Sequence, residues 1–328
     1  MLVETQTLRV KPLDLQMGAS TLLTVPSALE EVLFGDDALQ TYAIVDAASL
    51  PGFDSPDAAG GLLAACLFKG APAEDLADCA PYLIALEPDH SFTRALFTRS
   101  EQPWHYWDRN AVILVQTTAP FELVRDHFRR FTKIPDDTGA WFFLRFFMPQ
   151  AMDAIIDGLS QSAGHLRRWF AIGREQQVFR YIVPRPDLDV VHSYKPLQTL
   201  MQDKGAVAPY RLDAQYVMIL ERIRDLRLEG RLMSAITYDY ANVQNLSADQ
   251  IRQIVKDSIQ AARAEGLKTE LAIGQFAAAG FIMGQVMTPA HLSRVAGYLD
   301  RSRHENMRTK ALLSFAETVI LQRAKEAV

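Results

Sequence analysis

The sequence has few of the residues on which disulfide-linked and metal-stapled proteins depend. Only two of its 328 residues, Cys66 and Cys79, are cysteines, and they lack CxxC spacing. Two such thiols build neither a disulfide framework nor a four-cysteine zinc site. The chain is long enough, and at 49% hydrophobic residues apolar enough, to bury an ordinary core without such links. A reducing cytoplasm is the simplest expectation.

Positive charge is also in short supply. The chain has 34 Lys and Arg against 39 Asp and Glu, a net charge of −5. A protein that coats nucleic acid gains its affinity by neutralising phosphates, so this balance argues against that class. The N-terminus lacks a basic region followed by an apolar stretch, so no classical export signal is visible.

Long runs of strongly apolar residues are missing as well. The longest uncharged stretch, residues 271–293, is rich in Ala and Gly and contains Gln, Pro and His. These residues insert into a bilayer much less favourably than Leu or Ile. The stretch therefore predicts a buried helix of a soluble domain and no stable membrane insertion.

The common catalytic signatures do not occur. The sequence has no GxxxxGK[ST], no GxGxxG after a strand, no GxSxG and no HExxH, and its seven histidines never pair at i,i+2 or i,i+4. We therefore expect neither a cofactor nor a metal ion. An enzyme, a hydrolase or transferase that combines Asp46 with a distant histidine, remains the alternative.

The chain divides into two halves of different pattern. Residues 1–184 carry 15 basic and 23 acidic residues, a balance of −8, whereas residues 185–328 have a balance of +3. Prolines and aspartates at 183–189 separate them, which predicts a domain boundary there. The first half alternates short strands with helices, and the second is almost wholly helical. The predicted fold class is α+β, an N-terminal α/β lobe with a short-stranded mixed sheet followed by an all-α lobe.

A basic and aromatic segment supplies most of the candidate binding residues. His127, Arg129 and Arg130 follow the apolar face of a helix, where basic residues complement the helix dipole. Binding of phosphate or carboxylate is the alternative. Arg145 lies inside the apolar run WFFLRFF, so it predicts a fixed internal ion pair first and a partner contact second. For the aromatic run 141–147 we expect a place in the core, with exposure toward a partner as the alternative.

Three further positions have both a structural and a functional interpretation. Asp46 ends an apolar strand, where α/β folds place catalytic carboxylates, but it can also cap the next segment or pair with an internal arginine. Gly280 and Gly284 belong to a small-residue helix face. Close packing inside the lobe is favoured, and a groove for an incoming apolar helix is the alternative.

An ordered set of segments resembles a known family. These are YAIVDAA at 42–48, LFKGAPAEDLADCAPYLIALE at 67–87, an aromatic segment around Trp104 and Trp107, and PFELVRDHFRRFTKIPDDTGAWFFLRFFMP at 120–149. Their order and spacing over residues 40–160 resemble the type VI secretion system effector-chaperone or adaptor family (Tap/TEC). Met148 is a departure, since members more often have Asp before this proline.

The resemblance implies a non-catalytic cytoplasmic adaptor. Such a protein binds a cognate effector, often through the effector's N-terminal or transmembrane region, and helps to load it onto the VgrG spike. Residues 1–184 would then be the adaptor domain and residues 185–328 the lobe that selects cargo. On this interpretation His127, Arg129, Arg130, Arg145, Gly280 and Gly284 are the candidate partner-binding residues.

Overall fold

The computed structural model describes residues 2–203, 205–239 and 246–326. The chain forms two compact units, Met1–Leu220 and Glu221–Val328. None of the helices in the described ranges combines the length and apolarity needed to cross a bilayer.

In the described ranges, the strands all belong to the first unit. They are β1 (Val3–Arg9), β2 (Gln40–Asp46), β3 (Ala64–Cys66), β4 (Pro81–Ala85), β5 (Val112–Thr117), β6 (Lys133–Pro135), β7 (Trp141–Phe143), β8 (Ala171–Ile172), β9 (Gln176–Arg185) and β10 (Val190–Pro196). The main sheet has the order β1-β10-β9-β5-β2-β4-β3, with β8 pairing β9, and β6 and β7 form a separate two-stranded ribbon.

The helices lie between these strands and then fill the second unit. They are α1 (Ser27–Phe34), α2 (Ala71–Asp75), α3 (Ser91–Phe97), α4 (Phe121–Arg129), α5 (Pro149–Leu159), α6 (Ala163–Phe170), α7 (Gln198–Gln202), α8 (Ala214–Asp239), α9 (Ala248–Ala264), α10 (Glu270–Ile282), α11 (Pro289–Leu292), α12 (Ala296–Leu299) and α13 (Glu305–Glu326). The α+β fold class is confirmed.

The main sheet is antiparallel at each of its strand pairs, not mixed as predicted. The reason is the position of β2. Strands β4 and β5 run in the same direction and are joined through α3, as a parallel crossover would be. However, β2 lies between them and pairs antiparallel with both. The sequence shows the strand-helix-strand order but not the strand inserted into it.

Both faces of this sheet are covered, which explains its continuous apolar strands. Ala43 and Val45 of β2 face a core shared with α1 and α3. On β9, Ile182 contributes to that core, and its neighbour Tyr181 is packed against Phe128 of α4 and Phe170 of α6.

The predicted boundary near residue 184 lies inside a hairpin. Strands β9 and β10 pair from Tyr181 to Tyr194, and β10 also pairs β1. The prolines and aspartates at 183–189 therefore shape a tight turn within the sheet, and the division into units falls at 220/221, within α8. The prolines predict a linker because proline has no N–H to donate to the hydrogen bonds of a sheet. Strand β9 nevertheless contains Pro184.

The second unit is a helical core built around α10. Helix α10 packs against α9 and α13, and its residues from Ala272 to Ile282 are largely buried. The prediction of a buried helix in 271–293 is thus confirmed for α10. Ser247 and Gln250 form a capping box at the start of α9.

Candidate functional site

Helix α4 supplies the centre of the candidate site. Phe121, Val124 and Phe128 are spaced at i, i+3 and i+7, and all three are buried. This apolar stripe fixes the helix against the sheet. The last turn therefore presents His127, Arg129 and the following Arg130 at a defined place.

His127 is an internal residue. Its Nε2 donates to the Trp169 carbonyl at 3.0 Å, and its Nδ1 accepts from Nη2 of Arg130 at 2.6 Å. Burial lowers the pKa of His127 to about 3, the nearby Arg130 charge acts in the same direction, and the Trp169 carbonyl partly opposes them. The neutral ring thus positions Arg130 and is not itself exposed to a partner.

Arg129 and Arg130 reach a cavity of about 400 Å³. Arg129 also donates from Nη2 to the Cys66 carbonyl at 2.9 Å, which ties α4 to β3. The cavity is lined by Leu67, Phe68, Lys69, Pro72, Arg129, Arg130, Thr132, Lys133, Pro135, Trp141 and Tyr210. Its lining contains four cations and no carboxylate, so we name it the basic cavity.

The wall of the basic cavity is a ribbon with exposed aromatic side chains. Asp136 organises its turn by accepting hydrogen bonds from Thr138 and Ala140. Gly139 takes the positive φ of +86° that the turn requires. Beyond the turn, the side chains of Trp141–Phe143 are all exposed, Trp141 at 64%. We call β6 and β7 together the aromatic ribbon.

The expectation that residues 141–147 lie in the core is therefore only half correct. Leu144, Phe146 and Phe147 are buried, whereas the three residues of β7 are not. Phe143 is held at the surface by Phe68, 5.6 Å away between ring centroids, and by the Lys133 ammonium 5.3 Å from its ring. The two strands form a ribbon separate from the main sheet, and alternation of residues alone does not reveal that separation.

Arg145 forms the internal ion pair that its apolar surroundings predict. Its Nη2 donates to Asp46 Oδ2 at 2.5 Å, and Ser49 donates to the same oxygen at 2.9 Å. Asp46 is fully buried. The prediction that Asp46 pairs with an internal arginine is confirmed, and among the described residues no histidine hydrogen-bonds to Asp46.

The two glycines lie in the second unit and have local roles. A Cβ on Gly280 would lie 3.0 Å from Ser258 Oγ and 3.2 Å from the Gln285 carbonyl, so this glycine permits close packing. Gly284, at φ +72°, ends α10, with Gly284 N–H donating to Phe281 and Gln285 N–H to Gly280. Both glycines belong to the second unit, and His127, Arg129 and Arg130 belong to the first.

Several residues of the basic cavity were not candidates from the sequence. In the sequence alone, Lys69 and Lys133 look like ordinary surface lysines, and Tyr210 is distant from both in the chain. The run of aromatic and basic residues at 128–145 was the available signal, but only the fold brings Lys69 and Tyr210 to it. Within the described ranges, no three His, Cys, Asp or Glu side chains converge as a metal site requires.

Comparison with known proteins gives one match. Residues 41–163 match the family DUF4123, described as a domain of unknown function. No curated protein and no solved structure matches the chain. The matched segment contains the aromatic ribbon and every lining residue of the basic cavity except Tyr210.

Proposed function

We propose that this protein is an adaptor that binds an effector of a type VI secretion system in the cytoplasm and helps to load it onto the VgrG spike. DUF4123 is a family associated with effector loading by this system, which supports an adaptor role at the family level. The observation that carries the proposal is the exposed aromatic ribbon beside a cationic cavity within the matched segment.

The surface chemistry suits a protein partner. Exposed aromatic side chains clustered next to arginines are typical of the anchor residues of protein interfaces. Covering an apolar N-terminal or transmembrane region of an effector until its transfer would also suppress aggregation of that region. The proposed partners are therefore the cognate effector and the spike.

Co-purification tests this proposal. The full chain is expressed with the effector and the spike protein encoded beside it and separated by size. A stable complex with the effector is the expected result. If each neighbouring effector elutes apart from this protein, the proposal fails.

We further propose that the helical part of the chain selects the cargo. Exchange of residues 221–328 between two related adaptors tests this role, because 220/221 is the division between the compact units. The chimera should bind the effector of the protein that donated the helical unit. An unchanged effector preference would contradict the proposal.

An enzyme remains the second class to test. Asp46, the main residue of the alternative enzyme hypothesis, forms an ion pair with Arg145. A different set does exist: Ser162 contacts His165 Nδ1 and His165 Nε2 contacts Asp213 Oδ2, each at 2.8 Å. Asp213 also caps α8, accepting from Tyr216 N–H. Its burial raises the pKa of this carboxyl, but the Tyr216 and His165 hydrogen bonds outweigh burial and hold the pKa low.

A fluorophosphonate probe distinguishes a hydrolytic serine from a structural one. If Ser162 only links the start of α6 to the start of α8 through His165 and Asp213, the probe should not label it. A Ser162→Ala variant should then show the same labelling as the wild type. Labelling that Ser162→Ala abolishes would favour the enzyme.

A further inference from the structure

We infer that the free edge of β7 and the basic cavity together bind an extended acidic segment of the partner protein, which adds to the aromatic ribbon as a third strand. This inference rests on the proposed adaptor function and specifies the chemistry of the bound segment. Three independent observations support it: the direction of the backbone groups, the arrangement of side chains and the uncompensated charge.

The backbone of β7 has unused hydrogen-bonding groups on its outer side. Asp136 N–H donates to Ala140, and Leu144 N–H donates to Thr132. Because hydrogen-bonded pairs alternate along an antiparallel ladder, Phe142 bonds to β6 in the register between them.

It follows that the N–H and C=O groups of Trp141 and Phe143 point away from β6. No strand in the described part of the chain pairs with this edge. The opposite edge of the ribbon is consistent with this geometry, since the outward carbonyl of Pro135 accepts from Leu212 N–H at 2.7 Å. Such an edge is a template for an added strand.

The side chains of β7 are sorted between two faces. Trp141 and Phe143 share one face with Lys133 and Pro135, their cross-strand partners, and this face borders the basic cavity. Phe142 is on the other face with the buried Ile134. An added strand would therefore place alternate side chains against Trp141 and Phe143 and toward the cations.

The charge of the basic cavity selects an acidic segment. Among the described residues, no carboxylate lies within ion-pair distance of Lys69, Arg130 or Lys133, and Arg129 has only Asp126 at 3.6 Å. A cluster in which three of four cations lack a carboxylate partner among the described residues attracts a segment of opposite charge and speeds its association.

Two other occupants fit less well. A second copy of this chain, paired symmetrically at β7, would bring the same cations against each other. Single-stranded nucleic acid suits cations and aromatic rings, but its backbone cannot form the ladder that the outward groups of Trp141 and Phe143 offer. A foreign polypeptide strand uses all three features.

Amide hydrogen exchange in the complex with the effector gives the first test. Exchange of the Trp141 and Phe143 amides should slow at least about tenfold on binding, whereas the Phe142 amide, already bonded to β6, serves as an internal control and should change little. A complex without protection at Trp141 and Phe143 overturns the inference and leaves the adaptor function standing.

A peptide assay tests the inference even if no effector binds. The probes are two fluorescein-labelled nine-residue peptides, one alternating glutamate with valine and one alternating lysine with valine. The full-length protein should bind the acidic peptide at least about tenfold more tightly. Equal binding, stronger competition by a single-stranded oligonucleotide, or protection of Trp141 and Phe143 in a dimer of the protein alone would each overturn it.

Matched variants separate the contributions of backbone and charge. Phe143→Pro removes the outward N–H at a position where an edge strand tolerates proline, and Phe143→Ala removes only the ring. The proline variant should bind the acidic peptide at least about tenfold more weakly than the alanine variant. Lys69→Glu should weaken binding by a similar factor, and Arg174→Glu, an exposed charge outside the cavity lining, should not. Equal effects within either pair contradict the inference.

Discussion

At the scale of single residues, the buried Asp46 carboxylate depends on one cation. Arg145 and Ser49 hold its Oδ2, and Arg145 itself is 41% exposed. Removing one member of a buried pair leaves the other charge uncompensated, and partial exposure reduces the cost. We expect Arg145→Leu to lower the free energy of unfolding by about 2 kcal/mol in urea denaturation.

A solvent-exposed pair provides the control for this prediction. Arg211 and Asp137 are both more than half exposed, so Arg211→Leu should cost less than about 1 kcal/mol. Adding Asp46→Asn should recover part of the Arg145→Leu loss. Equal stability of the Arg145→Leu and Arg211→Leu variants would contradict the assigned role of the pair.

The buried His127 makes stability depend on pH. Its pKa is about 3 in the folded protein and about 6.5 in an unfolded chain. Between these pH values the unfolded chain binds a proton at His127 that the folded protein does not. The stabilising contribution of the neutral His127 to the free energy of unfolding is therefore complete above about pH 6.5 and is lost as the pH falls toward 3. As the pH is lowered from 6, the free energy of unfolding should fall more steeply in the wild type than in His127→Gln. The difference between the two slopes should be roughly 1.4 kcal/mol per pH unit. Parallel curves from pH 6 to 4 would exclude this coupling.

At the scale of elements, α5 begins without a capping side chain. Met148 is its N-cap, with extended φ and ψ of −79° and 131°, and makes no side-chain cap hydrogen bond. An aspartate there can accept from the first-turn N–H groups. Met148→Asp should therefore be more stable than Met148→Ala by about 1 kcal/mol in urea denaturation. Both variants lose the methionine side chain, so equal stabilities would show that no cap forms.

Two glycines of the helical unit should respond oppositely to alanine. A Cβ at Gly280 meets Ser258 Oγ and the Gln285 carbonyl, whereas nothing lies within 4 Å of one at Gly230 in α8. Gly280→Ala should lower the free energy of unfolding by about 1 kcal/mol because a carbonyl must shift. Gly230→Ala should raise it by about 0.5–1 kcal/mol through helix propensity. Thermal unfolding compares the two, and a stabilised Gly280→Ala would refute close packing there.

Sequence patterns predicted the helices and strands better than they predicted which strands pair with each other. The apolar, β-branched run that ends at Asp46 became a central strand, as its composition indicates. Strand β10 was missed because the prolines before it resemble a linker. The edge strand β1 carries no apolar alternation, since Val3 and Leu8 are its only apolar residues and most of the strand is exposed. Direction and neighbours of strands depend on contacts distant in sequence, which local patterns do not contain.

At the scale of the whole molecule, the site was only partly predictable. Arg145 was recognisable because a cation among aromatic residues needs a counterion. The basic cavity was not, because Tyr210 and Lys69 reach Arg130 only through the folded first unit. His127 was a candidate by position, but its burial against Trp169 depends on α6.

The division at 220/221 predicts which fragments fold. A fragment of residues 1–220 keeps β10 and Tyr216, whose hydroxyl accepts from the Trp169 indole at 3.1 Å. A fragment of residues 1–184 loses β10, the partner of both β1 and β9. We expect a cooperative thermal transition and near-ultraviolet dichroism from the longer fragment only. Cooperative unfolding of residues 1–184 would instead support the earlier boundary.

The pairing of β1 with β10 has a consequence for synthesis in the cell. The ribosome makes Val3–Arg9 long before the strand that receives this segment, Val190–Pro196, which lies almost at the end of the first unit. At synthesis rates of up to about 20 residues per second, β1 waits on the order of ten seconds for its partner strand. The main sheet can therefore be completed only after β10 has been synthesised. A chain released before Pro196 lacks part of the strand with which β1 pairs.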